Sequence, residues 1–260
     1  MIFKKTLATY PKIVFLVSMI KLLRKIHWVY CLLCLFLIFI LFWPFYYWLT
    51  RHPRYYNILN KFRTVHSFTA AALSGIFFDF EFEKELDKQQ TYIFCANHTS
   101  NLDIIIFCIL AKGKYHFMGK EELMKNPLLG IFFRTIDIAV SRSSKISSFR
   151  AFKKAGDNLE SGMSLIIFPE GRIDNVYPPV LQDFKSGPFR LAIEKNVPIV
   201  PVSITNVWKI MWDDGVKYGT RPGLVKVHVH EPILTSILAL ENDEVLKNEV
   251  YGIINSKLGF

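Results

Sequence analysis

The sequence predicts an α/β fold, with a mixed, largely parallel sheet flanked by helices and a hydrophobic, membrane-anchoring helical segment in front of it. From about residue 85 onward, short β-type runs alternate with helical stretches, which is the pattern of a layered α/β domain. Two polar clusters directly follow apolar runs, and α/β folds place their sites at such strand ends. Residues 28–50 form a run of 23 without a charge, long enough to cross a bilayer as a helix.

The positive charge of the chain is concentrated near its N-terminus. The net charge is +10, from 32 basic and 22 acidic residues, and ten of the basic residues lie within residues 1–78, where no acid occurs. The other 22 basic residues balance the 22 acids of residues 79–260. A segment that is both basic and apolar indicates an anionic membrane surface rather than nucleic acid. We therefore divide the chain into a membrane anchor, residues 1–78, and an α/β domain, residues 79–260.

The apolar segment allows two membrane arrangements. Basic residues flank residues 28–50 on both sides, and Lys21, Arg24 and Lys25 separate this run from a shorter one at residues 13–20. Because both flanks are basic, the positive-inside rule selects no orientation. We expect either a helix that spans the bilayer or a helical hairpin that enters and leaves one leaflet, with the α/β domain on the cytoplasmic face.

The elements of the α/β domain follow from its apolar runs and the turn residues between them. The predicted strands are residues 91–96, 115–118, 136–140, 164–168, 198–204 and 225–230, and the predicted helices are residues 102–111, 147–159 and 187–195. Residues 206–223 contain three glycines, two adjacent aspartates and a proline, which predicts a surface loop. His228 and His230 alternate on the last strand and point to one face. We interpret them as ordinary sheet histidines and expect no metal site.

The first polar cluster, residues 97–103, reads NHTSNLD and follows the first predicted strand. If a turn brings Asp103 back toward His98, the carboxylate accepts a hydrogen bond from one ring nitrogen and raises the basicity of the other. Five residues along an ideal helix would not align the two side chains, so the turn has to do it. His98 would then be a competent general base, whereas the cluster taken alone also fits a helix-capping loop.

The second polar cluster, residues 168–172, reads FPEGR and again follows an apolar strand. Proline and glycine make a rigid turn with exposed backbone N–H groups. Glu170 can accept a hydrogen bond from a substrate hydroxyl or orient a neighbouring group, and Arg172 can bind a phosphate with two N–H donors. By itself, this segment also fits an ordinary turn.

Together, the two clusters resemble those of the glycerolipid acyltransferase family, in particular the lysophosphatidic acid acyltransferases. The resemblance covers roughly residues 70–235, and its most specific feature is NHxxxxD followed later in the chain by FPEG. FKSG at residues 184–187 and PIVPV at residues 198–202 add to it. The resemblance implies a glycerolipid acyltransferase fold and transfer of a fatty acyl group from a thioester donor to the free hydroxyl of a lysophospholipid.

The resemblance also implies roles for individual residues. His98 is similar to the family's catalytic base and Asp103 to its orienting partner, with no acyl-enzyme intermediate. Lys120 and Arg142 match the region that the family uses for the acceptor's phosphate. Glu170 and its neighbour Gly171 match the block that positions the acceptor.

One departure from the family pattern concerns the second cluster. The family commonly reads FPEG, then Thr, then Arg, whereas here Arg172 directly follows Gly171 and Ile173 stands at the usual arginine position. Either Arg172 reaches the same phosphate from the adjacent position, or the phosphate site rests mainly on Arg142. The choice of head group therefore stays open, and Arg172 is kept as a substrate-binding candidate.

We therefore expect a membrane-bound acyltransferase that converts lysophosphatidic acid to phosphatidic acid in phospholipid biosynthesis. Its partners would be the phospholipid surface, the lysophospholipid acceptor, and acyl-CoA or acyl carrier protein as co-substrate, with no cofactor and no nucleic acid. Two alternatives stay open. In one, the acceptor is another lysophospholipid or an acylated amino-acid lipid. In the other, the chain is a membrane-surface lipid hydrolase or a lipid-binding module.

Overall fold

The computed structural model describes residues 3–141 and 144–259, with side chains described from residue 13 onward. The helices are α1 (Phe3–Leu49), α2 (Tyr56–Leu73), α3 (Leu102–Leu110), α4 (Gly130–Phe133), α5 (Lys145–Glu160), α6 (Gly187–Lys195), α7 (Val207–Ile210) and α8 (Asp243–Leu258). The strands are β1 (Ile76–Phe82), β2 (Ile93–Ala96), β3 (Tyr115–Lys120), β4 (Ile138–Val140), β5 (Ser164–Ile167), β6 (Ile199–Ile204) and β7 (Gly223–Val229). Short 3-10 helices occur at Pro53–Tyr55, Glu121–Lys125 and Leu240–Asn242.

The seven strands of the described residues form one mixed sheet, in the order β1-β7-β6-β2-β5-β3-β4. Strands β6, β2, β5, β3 and β4 are parallel to one another, whereas β7 pairs antiparallel with β6 and β1 pairs parallel with β7. The predicted fold class, mixed and largely parallel, is confirmed. The predicted strands correspond to β2 through β7, and the predicted helices correspond to α3, α5 and α6.

Strand β1 was not predicted from the sequence. Its residues, IFFDFEF, pair in parallel with β7 at every position. The strand lies at the edge of the sheet, and its side chains alternate between more and less buried positions, as in a strand that is covered on one face. The division of the chain after residue 78 stays a prediction, and it falls inside β1.

Two apolar layers enclose the sheet. Neighbouring residues of β2 point to opposite faces, so that Phe94 packs with side chains of α3, whereas Cys95 packs with side chains of α5, α6 and α8. The strands β2, β5 and β6 are buried along their whole length, as expected for central strands of a parallel sheet. Their carboxyl ends point to one edge of the sheet, which is where the polar clusters lie.

Helix α1 pairs with α2 as an antiparallel hairpin. The Tyr30 hydroxyl donates to the Leu73 carbonyl oxygen at 3.1 Å. Farther along the hairpin, His66 Nε2 lies 3.0 Å from the Leu35 carbonyl oxygen. These contacts join the C-terminal half of α1 to α2, and they leave the opposite face of α1 uncovered.

The uncovered face of α1 is apolar. Ile13–Leu49 is 37 residues long, and only a small part of it is buried against the rest of the chain. It is the one helix in the described parts of the chain that is long and apolar enough to cross a membrane. An exposed apolar surface of this extent indicates a site of contact with lipid or with another protein.

A buried ion pair fixes α2 to the sheet. Arg63 on α2 lies 3.0 Å from the Asp137 carboxylate just before β4, and both side chains are almost completely buried. The carboxylate also accepts a hydrogen bond from the Phe117 backbone N–H at 2.9 Å. Removing one partner of such a pair leaves a buried charge uncompensated, at a cost of about 3–5 kcal/mol. Helix α2 is therefore anchored to the same core as the sheet.

The expectation of a surface loop at residues 206–223 is wrong for much of that segment. It begins with helix α7, and the side chains of Trp212 and Thr220 are buried. Glycine and proline correctly indicated irregular backbone, but part of the segment packs against α1 at Gly215 and Gly219, whereas Lys217 and Arg221 stay exposed.

Hydrogen bonds join α1 to residues 211–220, which we call the bridging segment. The Thr220 N–H donates to the Arg24 carbonyl oxygen at 3.0 Å. Trp28 Nε1 donates to the Asp214 carbonyl oxygen at 2.8 Å. The bridging segment is therefore held between α1 and the α/β body.

Candidate active site

The two polar clusters meet at one edge of the sheet. Strands β2 and β5 are hydrogen-bonded parallel neighbours, so the residues that follow their carboxyl ends emerge side by side. The His98 backbone N–H donates to Glu170 Oε1 at 2.6 Å. The structure therefore brings together two predicted site residues that are 72 positions apart in the sequence.

His98 and Asp103 form a hydrogen-bonded dyad. His98 Nδ1 lies 2.8 Å from Asp103 Oδ2. The backbone N–H groups of Thr99 and Ser100 donate to the same oxygen at 2.9 and 3.0 Å, so the turn wraps around the carboxylate. Asp103 lies in the first turn of α3, where the helix dipole favours negative charge. When Nδ1–H is donated to Asp103, Nε2 keeps the lone pair that a general base needs.

Aromatic packing holds the imidazole ring of the dyad. The His98 ring stacks on Phe168, with ring centroids 4.1 Å apart and planes inclined by 13°. Phe107 of α3 in turn meets Phe168 edge to face, with centroids 5.7 Å apart. The His98 side chain keeps 17% of its exposure. The ring is thus held by one nitrogen and one face without being sealed from solvent.

Glu170 joins the two clusters as a buried brace. Its Oε1 accepts from the His98 N–H, and its Oε2 accepts from the Gln182 N–H at 2.8 Å. Burial raises the pKa of Glu170 to about 7, and the charges of Asp103 and Asp174 add to this, although the two backbone donors lower it. Both carboxylate oxygens are therefore engaged by backbone donors. The acceptor-positioning role of Glu170 stays a prediction.

Gly171 completes the turn beside the dyad. Its φ of 75° is left-handed, and its N–H donates to the Phe168 carbonyl oxygen at 2.9 Å. A Cβ at this position would lie 3.0 Å from Lys185 Nζ, so the glycine leaves room for an ammonium next to the turn. Lys185 lies in the FKSG stretch, but the sequence alone indicated no role for this cation. The available signal for Lys185 was its position a short distance after the FPEG cluster in the sequence.

Two of the three predicted substrate-binding cations, Lys120 and Arg172, are exposed. Lys120 is the last residue of β3, which pairs with β5, so it lies at the same edge of the sheet as the dyad. Arg172 follows Gly171 and is exposed to solvent. Arg142 lies outside the described residues. Their contacts with a phosphate stay predictions.

Asn97 is a residue of the site that the sequence analysis assigned no role. Its Nδ2 donates to the Ile204 carbonyl oxygen at 3.0 Å, and its Oδ1 accepts from the Ile204 N–H at 2.8 Å. The side chain thus ties the end of β2, just before His98, to the end of β6. A polar residue directly after a buried strand was the available signal.

Asp213, also missed by the sequence analysis, connects the bridging segment to the dyad loop. Its N–H donates to the Thr99 carbonyl oxygen at 2.9 Å, and its own carbonyl oxygen accepts from the Asn101 N–H at 2.9 Å. The next residue, Asp214, is the one that accepts from Trp28 on α1. A short backbone path therefore connects the apolar helix to the loop that carries His98.

The Asp213 carboxyl shares its electrostatic surroundings with two of the predicted site residues. Burial raises the pKa of Asp213, and the neighbouring charge of Asp214 raises it further. The charges of His98 and Lys120 lower it. Lys120 and His98 therefore both lower the pKa of the same carboxyl group, that of Asp213, at this edge of the sheet.

Comparison with known proteins agrees with this geometry. The family model described as Acyltransferase matches residues 78–205. An uncharacterized acyltransferase of Schizosaccharomyces pombe is 27% identical over 207 residues, which covers 78% of this chain and 74% of that protein. A 1-acyl-sn-glycerol-3-phosphate acyltransferase of Saccharomyces cerevisiae is 30% identical over 159 residues, covering 60% of this chain and 51% of that protein. A chloroplastic enzyme of the same name from Brassica napus is 29% identical over 165 residues, covering 63% of this chain and 46% of that protein. The chain thus spans about half the length of these last two relatives.

A solved structure shares the fold. The crystal structure of the 1-acyl-sn-glycerophosphate (LPA) acyltransferase PlsC from Thermotoga maritima matches with a TM-score of 0.73 and 22% identity, and the match covers 90% of this chain and 96% of that one. At this identity the likeness shows the fold, while the family model and the curated relatives carry the assignment. The chain therefore contains an acyltransferase-family domain, which the family model places at residues 78–205.

Proposed function

We propose that this chain transfers a fatty acyl group from a thioester donor to the free hydroxyl of lysophosphatidic acid, giving phosphatidic acid. The observation that carries the proposal is the His98–Asp103 dyad, in which Asp103 holds one ring nitrogen beside the Glu170 turn. The relatives from Saccharomyces cerevisiae and Brassica napus are named 1-acyl-sn-glycerol-3-phosphate acyltransferases, which supports this choice of acceptor.

In the proposed reaction, one proton moves and no acyl-enzyme forms. His98 Nε2 takes the proton of the acceptor hydroxyl while that oxygen attacks the carbonyl carbon of the thioester. The Asp103 carboxylate, hydrogen-bonded to Nδ1, stabilises the imidazolium that results. As the new C–O bond forms and the C–S bond breaks, the imidazolium returns its proton to the departing thiolate. The products are the acylated lipid and the free thiol.

The acceptor's phosphate would be bound by the cations around the dyad. Lys120, Arg172 and Lys185 are the candidates among the described residues, and Arg142 is kept as a further one. A guanidinium binds phosphate through two parallel hydrogen bonds, whereas an ammonium acts as a point charge. Fixing the phosphate would present the acceptor hydroxyl to His98, and such positioning supplies much of the rate of a two-substrate transfer.

The apolar face of α1 would hold this site at a phospholipid surface. Helix α1 contacts the bridging segment through Trp28 and pairs with α2 farther along, through contacts such as that of His66 with Leu35. A helix held against the body at both places favours a hairpin that lies in one leaflet over a helix that leaves the body to span the bilayer. We propose that the α/β domain lies on the cytoplasmic face, a reducing compartment in which the buried thiols of Cys95 and Cys108 would stay reduced.

A product assay on vesicles tests the proposal. The purified chain on anionic phospholipid vesicles receives lysophosphatidic acid and a radiolabelled thioester, either acyl-CoA or acyl carrier protein. We expect labelled phosphatidic acid whose formation requires the acceptor. Free fatty acid released without the acceptor would indicate a hydrolase, and lipid binding without turnover on either donor would indicate a lipid-binding module. Either result would overturn the proposal.

The order Gly171-Arg172-Ile173 favours one alternative, an acceptor other than lysophosphatidic acid. The usual arginine position holds an apolar side chain here, and Arg172 is exposed next to it. The same assay with a panel of lysophospholipids and acylated amino-acid lipids separates the two. A clear preference for the bare phosphate monoester supports lysophosphatidic acid, and indifference to the head group supports the alternative.

A further inference from the structure

A second group of histidine and carboxylate side chains lies on β1 and β7, away from β2 in the sheet. His228 lies on β7, His230 directly follows it, and both side chains are buried. Glu83 directly follows β1. Glu83 Oε1 lies 2.7 Å from His228 Nε2 and 3.0 Å from His230 Nδ1. The three side chains offer ligand atoms that all lie within 4.8 Å of one another. We call these three residues the β1–β7 cluster.

The outer nitrogen of each imidazole is already paired with a protein group. His230 Nε2 lies 2.9 Å from Ser203 Oγ, which donates its one proton to the Ile254 carbonyl oxygen at 3.1 Å. Ser203 must therefore accept from His230, so that neutral His230 carries its proton on Nε2. His228 Nδ1 lies 3.1 Å from Glu81 Oε2. His228 Nε2 also meets a carboxylate, Glu83, so the proton of neutral His228 can be donated to either one. When it is on Nδ1, toward Glu81, Nε2 keeps a lone pair that faces Glu83.

In this tautomer, the inner atoms of the cluster face one another as acceptors. His228 Nε2 and His230 Nδ1 present lone pairs, and Glu83 Oε1 is an anionic acceptor in contact with both. The Glu231 N–H donates to Glu83 Oε2 at 3.0 Å, which keeps Oε1 turned toward the imidazoles. Three acceptors this close repel one another unless a positive charge lies among them.

We propose that Glu83, His228 and His230 bind a divalent transition-metal ion, for which zinc is the best match. Two imidazole nitrogens and one carboxylate oxygen form a donor set that zinc accepts, with water as the fourth ligand. Glu81 and Ser203 hold the outer nitrogens of the two rings. Such outer hydrogen bonds orient metal-binding histidines and fix their tautomers.

The cluster needs a small adjustment to hold the ion. Tetrahedral ligands at zinc distances lie roughly 3.3 Å from one another, so Glu83 Oε1 has to withdraw by roughly half an ångström from the imidazoles. Glu83 keeps 40% of its exposure, and its side chain has room for this movement. The ion would join the end of β1 to that of β7, so its effect would be on stability. No step of the proposed acyl transfer passes through it.

Zinc binding by the full chain tests the proposal. The chain is purified without a histidine tag, stripped with chelator and dialysed against micromolar zinc. We expect about one zinc per chain by elemental analysis, and saturating zinc should raise the Tm by roughly 5–10 °C. Replacing zinc with cobalt should give the visible absorption bands of a four-coordinate site. Glu83→Gln and His228→Gln should each lose the zinc and the rise in Tm.

Two variants serve as controls for the metal analysis. Glu231→Gln changes a neighbouring carboxylate whose side chain pairs with Lys84, and His52→Gln removes an exposed histidine elsewhere. Both should keep the zinc, and circular dichroism of the stripped chains shows whether each variant is folded. A folded wild-type chain that binds no zinc would overturn the proposal and identify the cluster as a hydrogen-bonded group in which an imidazole N–H donates to Glu83. A Glu83→Gln chain that binds zinc as the wild type does would overturn it too.

Discussion

The described residues include two histidine–carboxylate groups whose surroundings give them different chemistry. In the dyad, Asp103 holds one nitrogen of His98 and Phe168 holds one face of the ring. In the β1–β7 cluster, both nitrogens of each imidazole face protein groups. An imidazole with one nitrogen open to a substrate hydroxyl can act as its base, whereas in the β1–β7 cluster both nitrogens of each ring are occupied by groups of the protein itself. A carboxylate partner alone therefore does not identify a catalytic histidine.

Removal of the Asp103 charge should give the largest effect, a loss of acyl transfer that leaves zinc binding by the β1–β7 cluster unchanged. In Asp103→Asn the dyad loses the carboxylate that stabilises the imidazolium of His98. We expect kcat/KM for acyl transfer in the vesicle assay to fall about 10²–10⁴-fold, with zinc binding unchanged. Asp79→Asn, which alters an exposed carboxylate of β1, is the matched control and should transfer at the wild-type rate. An Asp103→Asn chain with wild-type turnover would show that the dyad is not the catalytic group.

Titration of Glu170, beside the dyad, should make the free energy of unfolding depend on pH. Its pKa is about 7 in the folded chain and 4.5 ordinarily, so the folded state binds the additional proton between these values. The contribution of this extra proton to the free energy of unfolding is complete below pH 4.5. It is lost as the pH rises through 7, which lowers the free energy of unfolding by up to about 3 kcal/mol.

Denaturant unfolding of the wild type and of Glu170→Gln at a series of pH values measures this effect. The variant has no titrating group at this position, so the wild-type free energy of unfolding should decline relative to that of the variant between pH 4.5 and 7. The protein is kept free of zinc, so that titration of the β1–β7 cluster is the same in both chains. A constant difference across this range would contradict the raised pKa of Glu170.

Weakening the contact between α1 and the bridging segment should give the smallest effect, a modest change in hydrogen exchange. Trp28→Phe keeps an aromatic ring but removes the hydrogen bond to the Asp214 carbonyl oxygen, worth about 1 kcal/mol. We expect hydrogen exchange at the Asp213 amide to become about fivefold faster. Phe36→Ala, at an exposed position on the same helix, should leave that rate unchanged. Equal exchange in Trp28→Phe and the wild type would mean that α1 does not stabilise the dyad loop.

Much of the dyad could be predicted from the sequence because its signals are local. His98 and Asp103 lie within one turn of chain, and the strands before both clusters are short apolar runs. The parallel pairing of β2 with β5 then places Glu170 next to His98. A strand-end pattern and a short motif were enough to find this edge of the sheet.

The remaining contacts could not be predicted because they join distant residues or use the backbone. Arg63 pairs with Asp137 across 74 positions, and Glu83 meets His228 across 145 positions. Neither separation leaves a periodic signal in a single sequence. Asp213 joins the dyad loop through its N–H and carbonyl oxygen, groups that almost every residue possesses, so no residue type could indicate that role.

The most direct test of the account is acyl transfer by the His98→Gln chain. Transfer from a thioester to lysophosphatidic acid is measured beside the wild type, at equal amounts of folded protein and with zinc content determined for both. The account predicts that the rate falls by about 10²–10⁴-fold, while the unfolding midpoint and the zinc content stay at wild-type values. Transfer at the wild-type rate by the folded His98→Gln chain would contradict the assignment of His98 as the base.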